Sequence, residues 1–516
     1  MIDAKQLVAA FERARSDRSQ WETHWQDLAY YLLPSHQFTQ KTTAGSKLRG
    51  NIVSSMAPLM AERLAAALHG WLTNPATKWF GLGVQNDRVT QALPEVHKWL
   101  EAARDATLSV YNDQRTEFNT AMYEAYLELV VFSTAVIYRE TTDDLPLRFM
   151  SLPLSECYLV ENSRRKIDKI YRLFQLSADQ AVEMFGDKAV AAKKLVDANN
   201  GNDKLEFIHY VGPRKTDMDS AKTGDNKAFE SRYICLKDKT EARDPGGYDR
   251  FPFYCPRWSR APGETYGRGP GMTLLPDIKQ VNKIVETLTR AAELNADPPW
   301  AVPDDGFALP LRMGPGAINW QRIDLGRNSA YPMVSGSQPQ LAEWMAAQVA
   351  DSIRQGFYDD ILKLPEVDRM TTVEVYSRRQ DRQQIMSPVV SRLFVELLSP
   401  IVLDSVMVLI DRAVIPPAPA QLQDKLMEVG YDSPLASSQR AGESQAIEQT
   451  MAKLTMLAQQ TQNPDILDNA NIDFAAEQII RLNGASSDLL RRKQDRDLVR
   501  KQRQEQAIAS AAMGVK

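Results

Sequence analysis

The stretch Glu264–Leu288 reads ETYGRGPGMTLLPDIKQVNKIVETL. It sets Gly267, Gly269 and Gly271 at alternate positions, with Tyr266, Arg268 and Pro270 among them, directly ahead of an amphipathic run. Glycines that feed a helix N-terminus can cradle a phosphate, because free N–H groups and the positive end of the helix dipole converge there. The details argue against a nucleotide loop. No G-x-x-x-x-G-K-[ST] occurs, and the lysine that Gly263 would require falls on Gly269. GRGPGM is not a dinucleotide fingerprint either, since its third glycine position is Met272, and no βαβ pattern frames it. The glycines are read instead as backbone devices that permit positive φ and close approach at a junction between regions. Anion binding at the helix N-terminus, with Arg268 as helper, is the alternative.

Other chemistry-bearing residues converge less. Asp143–Asp144, Asp304–Asp305 and Asp359–Asp360 are adjacent pairs. Adjacent side chains do not face each other, so no two-metal or acid–base site follows, and each reads as a solvated pair. The histidines His24, His36, His69, His97 and His209 lie singly, without the spacing of a metal site. Cys157, Cys235 and Cys255 are far apart and odd in number, which fits a reducing compartment and excludes a CxxC zinc site. No GxSxG or Cys/His nucleophile arrangement is present. No catalytic residue, cofactor or metal is therefore expected. Near the C-terminus, Arg491, Arg492, Lys493, Arg496, Arg500, Lys501 and Arg503 form a basic tail diluted by Asp495 and Asp497. It reads as a solvated helix face, or more pointedly as a segment close to DNA.

The elements that must position these residues follow from periodicity. Helices are expected over 4–33, 52–73, from Pro94 to Tyr111, and over 117–132; the second of these is apolar nearly all round, as a buried helix is. From 134 to 175 short apolar runs alternate with turns, and further strands fall at 205–211, 229–236 and 251–258, which gives an antiparallel sheet. Ser177 is placed to cap a helix that ends on Gly186. The helix after the glycines carries one stripe, Leu274, Leu275, Ile278, Val281, Ile284, Val285 and Leu288, with Pro276 as its start or its kink. Residues 298–339 hold seven prolines and five glycines, so turns and short strands replace helix there. A second amphipathic helix, 340–357, completes a helical hairpin with a small tip. Thr371 and Glu374 are spaced as a capping box for a long helix to Val414, with kinks at Pro388 and Pro400. IPPAPAQ (415–421) is a linker, and the remainder reads as helical. The fold class is α+β, mainly helical.

A chain of 516 residues exceeds a single core. Its 62 basic and 66 acidic residues leave a net charge of -4, so there is no global attraction to nucleic acid. No signal peptide or membrane-spanning helix is expected.

Four segments resemble a known family, the head-to-tail connector, or portal, proteins of short-tailed bacteriophages. ETYGRGPGMTLLPDIKQVN is similar to the family's wing-to-stem junction. RMTTVEVYSRRQDRQQIMSPVVSRLFVELLSPIV resembles its long helix, with Thr372–Val373 where the family often has Ala-Thr. LAAALHGWLTNPATKWFGL and FNTAMYEAYLELVVFSTAVIY resemble its N-terminal helices. The resemblance implies a wing (1–270), stem helices (271–297 and 340–362), a clip (298–339), a tunnel loop (363–371), a long kinked wing helix (372–414) and a helical crown (415–516). It also implies a dodecameric ring at one capsid vertex of the virion, assembled in the host cytoplasm. Double-stranded DNA would pass through it without sequence specificity. Its partners would be the terminase large subunit, tail adaptor and tail proteins, and the major capsid and scaffolding proteins, with no membrane. Lys363, Glu366, Asp368 and Arg369 would line the narrowest part of the channel. The alternatives are another virion structural protein, such as a tail adaptor, and a metal-dependent nuclease.

Overall fold

The computed structural model describes residues 4–39, 52–91, 93–142, 144–214, 227–304, 314, 317–322, 331–332, 339–359, 386–422, 425–431, 434–461, 470–482 and 496–503. In chain order these form α1 (Ala4–Leu32), α2 (Met56–Leu72), β1 (Phe80–Val84), α3 (Arg88–Gln91), α4 (Pro94–Asn112), α5 (Phe118–Phe132), β2 (Ile137–Glu140), β3 (Arg148–Ser151), β4 (Cys157–Glu161) and β5 (Ile167–Ser177). They continue with α6 (Ala178–Phe185), α7 (Val190–Asp197), β6 (Lys204–Pro213), β7 (Phe229–Cys235), β8 (Thr240–Glu241), β9 (Gly246–Tyr248), β10 (Phe253–Tyr254) and α8 (Pro270–Ala296). Last come β11 (Trp300–Asp304), β12 (Ile318–Arg322), β13 (Tyr331–Pro332), α9 (Pro339–Gly356), α10 (Met386–Asp411), β14 (Met427–Tyr431), α11 (Pro434–Thr461) and α12 (Ile472–Leu482). The class is mixed α+β and mostly helical. The chain groups into two compact units, Met1–Pro75 with Thr107–Val414, and Ala76–Ala106 with Ile415–Lys516.

The first unit is built around α5. This helix buries Phe118, Met122, Tyr126, Leu129, Val130, Val131 and Phe132, with Thr120 and Glu124 exposed, and α2 and α8 both pack on it. So wide an apolar face is stable only when it is covered by more than one neighbour. The expected strands divide between two antiparallel sheets, β10-β2-β3 and β4-β5-β6-β7-β8, with β9 also on β7. The N-terminal part of α1 covers one cluster of the larger sheet through Leu7, Val8 and Phe11 against Tyr158, Tyr171 and Ile208. Helices α6 and α7 cover another, around Phe174, Phe185 and Phe207. Ser177 caps α6 as its spacing predicts: its hydroxyl accepts from Gln180 N–H at 3.2 Å, and Gln180 reaches back to the Ser177 amide at 3.1 Å. The run 251–258 is strand only at Phe253–Tyr254, because Pro252 and Pro256 remove ladder donors on either side.

Pro276 does not start α8, which begins at Pro270; it lies inside the helix, where the alternative expectation, a kink, would put it. α10 has Pro388 and Pro400 inside it, and its α-helical course is interrupted by a π-helical turn at Phe394–Leu398, just before Pro400, in keeping with the distortion expected there. The part of the long helix before Met386 lies outside the described residues, as do Thr371 and Glu374. By length and composition alone α10 could cross a membrane, yet it buries Ile401, Val402, Val406 and Leu409 and pairs both its acids before Asp411: Glu396 with Arg257, Asp404 with Arg250. That is the pattern of a core helix.

In the second unit, β1 pairs antiparallel with β14, Leu82 opposite Val429. A strand at 427–431 corrects the all-helical reading of the C-terminal region. MEVGY is a short strand on its own and gains its partner from far upstream. The Trp99 indole donates to Pro416 O at 2.9 Å and ties down the proline-rich linker. α12 packs against α11.

Candidate functional site: the glycine junction and its hairpin

The junction is a crowded meeting of backbones. Gly267, Gly269 and Gly271 all run past the C-terminal end of α5. A Cβ on Gly267 would lie 2.2 Å from Ser133 O, and one on Gly271 would lie 2.5 Å from Val131 O. A Cβ on Gly269 would lie 2.6 Å from Ser133 Oγ and 3.0 Å from Trp258 Cγ. None of the three has positive φ; Gly269 is extended, at φ -158°. The expected positive φ is therefore wrong, and the expected close approach is right: space, not torsion, demands glycine here. The left-handed residue is the neighbour, Ser133, at φ 65°.

This packing leaves little room for a phosphate at the loop. Pro270, Gly271 and Met272, the first turn of α8, are buried. The carbonyls of Val130 and Val131, at the C-terminal end of α5, crowd the Cα of Gly271. Arg268 is not free to help an anion: it pairs with Glu264 at 2.6 Å and lies over the Trp21 ring at 5.0 Å. That pairing raises the Arg268 pKa and lowers that of Glu264.

The same segment is stitched into its surroundings. Gly267 N–H donates to Thr134 Oγ1 at 2.8 Å, and Ser259 and Arg268 exchange backbone bonds at 3.0 and 3.1 Å. Tyr266 is buried against Trp25, edge to face at 4.8 Å, and its hydroxyl accepts from Leu159 N–H at 3.2 Å. Burial pushes its phenol pKa up.

Sequence reasoning missed the strongest polar anchor. Arg257 is buried, and its guanidinium bonds Glu161, both oxygens of Glu396 at 3.1 and 3.3 Å, Thr265 O at 3.1 Å and Arg165 O at 3.3 Å. Burial works against its charge, but Glu396 and then Glu161 outweigh that and raise its pKa. A signal existed: Arg257 interrupts the apolar run PFYCPRW, and Glu396 is the lone charge between Leu393 and Leu403. Lone charges on apolar stretches need partners. Asn282 was also missed. It is buried in α8, accepts from the Val53 and Ser54 amides at 3.1 and 3.0 Å, and donates to Ile278 O at 2.8 Å.

From the junction, α8 and α9 form the expected hairpin. They pack so closely at its base that a Cβ on Gly356 would lie 2.4 Å from a Leu274 methyl. Ile278, Val281, Ile353 and Phe357 are buried there. Farther out α9 runs into solvent: Leu341 is 56% exposed and Trp344 58%. At the tip, β11 pairs with β12 in parallel and with β13 antiparallel, and Trp300, Ile318 and Trp320 are exposed.

The remaining candidates separate. Lys363, Glu366, Asp368 and Arg369 lie outside the described residues, as do Arg491, Arg492 and Lys493. Arg496 and Arg500 turn to Asp473, at 3.9 and 2.5 Å, while Lys501 and Arg503 are exposed. Asp359 is buried and held by Arg63 at 3.3 Å, not solvated as expected; Asp143, Asp305 and Asp360 lie outside the described residues. Among the described residues no cluster of three or more His, Cys, Asp or Glu could hold a metal.

The chain matches the family model described as bacteriophage head to tail connecting protein over residues 4–490. It is 27% identical to the "Probable portal protein" of Bordetella phage BPP-1, over 99% of this chain and 93% of that one. It is 22% identical to the "Portal protein" of Salmonella phage epsilon15, with the same shares covered. A junction built for close packing, a hairpin with an unpartnered outer face and this match over nearly the whole length agree: the chain belongs to the bacteriophage head-to-tail connecting protein family.

Proposed function

We propose how this phage head-to-tail connector, a structural and non-enzymatic protein of the capsid vertex, is assembled and used. Copies of the chain form a closed, dodecameric ring around a channel for double-stranded DNA. α8 and α9 are the stem, 298–339 the clip, 1–270 with the long helix 372–414 the wing, and 415–516 the crown. The single observation that carries this is the hairpin, apolar and covered at its base, with exposed apolar side chains on the outer part of α9 and at the tip. Leu341, Trp344 and Met345, at helical spacing, are exposed on one chain and bury against the next in a ring.

A net charge of -4 suits a conduit: each phosphate neutralised strengthens binding, so a strongly basic lumen would stall sliding. The 363–371 segment, with Lys363, Glu366, Asp368 and Arg369, lines the narrowest part. The clip docks the terminase large subunit during packaging and the tail proteins afterwards, and the wing meets capsid and scaffolding proteins. The purified chain should have the light-scattering mass of a ring, and Leu341→Asp with Trp344→Asp should reduce it to monomer with its fold retained. A doubly substituted chain of unchanged mass would refute the assignment of this face.

A further inference from the structure

The hairpin turn between β4 and β5 reads Asn162, Ser163, Arg164, Arg165, Lys166. Its backbone is held from several sides. Asn162 Oδ1 accepts from the Arg164 and Lys166 amides at 2.8 and 3.1 Å, and Asn162 N–H donates to Lys166 O at 2.8 Å. Arg165 is left-handed, at φ 58°, where glycine or asparagine would sit more easily. Its carbonyl accepts from Arg257 at 3.3 Å and from Arg260 at 3.1 Å. The side chains of Arg164, Arg165 and Lys166 are exposed, and the half-buried Arg260 lies beside them. Among the described residues none of these four cations forms an ion pair, whereas Arg257 takes Glu161 and Glu396, and Arg268 takes Glu264. Asp168 accepts from the Asn162 side chain at 3.1 Å. Even with Asp168 and the second acid on Arg257 set against them, the four cations leave this corner positive. The C-terminal tail differs, since Arg496 and Arg500 both turn to Asp473.

We propose that this turn, with Arg164, Arg165, Lys166 and Arg260, is a phosphate-binding contact for double-stranded DNA. The proposal deepens the reading of the connector as a DNA conduit and rests on it for the identity of the polyanion. Phosphate contacts need cations and hydrogen-bond donors and no apolar surface. A docked protein needs an apolar or aromatic centre within a polar rim, and neither 162–166 nor 259–263 carries a large apolar side chain. The chemistry therefore favours nucleic acid over an acidic protein face. Because the backbone is fixed beforehand, binding orders only the side chains, which keeps its entropic cost low. The contact reads no sequence, since phosphates carry none. It also retards DNA where it touches, so it holds DNA and is not part of a surface along which DNA slides. The net charge of -4 hides it, because that figure averages over the whole chain.

The test is binding of a fluorescent linear DNA duplex of arbitrary sequence to the full-length chain, read by anisotropy over a series of salt concentrations. The parent should bind, with an affinity that falls as salt rises. Arg164→Gln, Arg165→Gln and Lys166→Gln combined should make the slope of log affinity against log salt shallower by at least about 2–3, at about 0.9 per phosphate contact. A control of equal charge change is Arg115→Gln, Lys188→Gln and Lys193→Gln. It removes exposed cations already paired with Asp113, Asp244 and Asp187, and it should keep the parent's slope. A parent that binds no DNA at low salt, an unchanged slope in the turn variant, or an equal loss in the control overturns the proposal. Light-scattering mass reads assembly separately, so the slopes judge the turn whether or not a ring forms. A turn variant that loses the parent's assembly overturns the proposal too, because the partner would then be an acidic face of the next copy.

Discussion

Replacing each junction glycine by alanine separates two kinds of crowding. At Gly267 and Gly271 the added methyl meets backbone oxygens, at 2.2 Å from Ser133 O and 2.5 Å from Val131 O. No rotamer relieves a backbone clash, and the α5 carbonyls belong to the buried end of that helix, Glu128–Phe132. Overpacking a core commonly costs about 1–3 kcal/mol; these two positions belong at or above the top of that range. About 3 kcal/mol lowers an apparent melting temperature by only about 4 °C in a unit as large as the one that holds the junction, at about 2.1 cal/mol/K of unfolding entropy per residue. At Gly269 the first contact is Ser133 Oγ, at 2.6 Å, a hydroxyl that is buried without a hydrogen-bond partner. Ser133→Gly removes that hydroxyl and relaxes the left-handed residue, a gain of about 0.5–1 kcal/mol by itself. Gly269→Ala alone should therefore destabilise, and Gly269→Ala with Ser133→Gly should recover most of the loss. Ser133→Gly should leave Gly267→Ala unrescued, because the carbonyl stays. Thermal melts at fixed chain concentration, with assembly checked by size exclusion, compare these variants with the parent. A Gly267→Ala chain within about 0.5 kcal/mol of the parent, the scatter of an ordinary surface change, would refute the close-approach explanation. So would equal rescue at both positions.

Three further expectations concern other parts of the chain. Asn282→Ala removes the acceptor of the Val53 and Ser54 amides, which are only partly buried, and should cost about 1–3 kcal/mol in chemical denaturation, at about 0.5–1.5 kcal/mol net per hydrogen bond; a loss below about 0.5 kcal/mol would show that the loop finds other partners. Glu128 is buried, next to His36 at 3.5 Å, and burial, helped by Glu124 and Glu156 and opposed by the Leu154 amide, holds its pKa well above 4.5. Burial lowers the His36 pKa, so the pair tends to be neutral. The folded chain then keeps a proton that the unfolded chain releases above pH 4.5, and stability falls as pH rises from there through the folded value. Glu128→Gln should abolish that slope and match or exceed the parent at pH 8, whereas parallel pH profiles would contradict the assignment. Charge reversal at Lys363, Glu366, Asp368 and Arg369 should impair DNA packaging or retention with ring assembly intact, and normal packaging would remove these residues from the channel lining.

Local pattern carried much of the fold. The helices α1, α2, α4, α5, α8 and α9 follow from apolar periodicity, and α6 from a Ser–Gln capping box. These are short-range effects, and sequence displays them directly. Long-range pairing was hidden. β14 is unremarkable until β1, more than three hundred residues earlier, supplies its partner. The junction shows both sides. Three alternate glycines announced that something unusual happens there, but torsional freedom was the wrong reason, because only the fold brings Ser133 and Val131 against them. Arg257 and Glu396 each stood out as a lone charge in an apolar run, yet nothing in one dimension says that they meet. The bare outer part of the hairpin lies on α9, at Leu341, Trp344 and Met345, and periodicity alone gives an amphipathic helix without showing which part of its apolar face is left exposed.

End-on electron images of the purified full-length chain address the assembly itself. Closed rings with an open central channel and twelvefold symmetry are the expected result. Single chains at every concentration, or compact particles without a channel, would contradict the proposal that the bare outer face of the hairpin is an interface between copies.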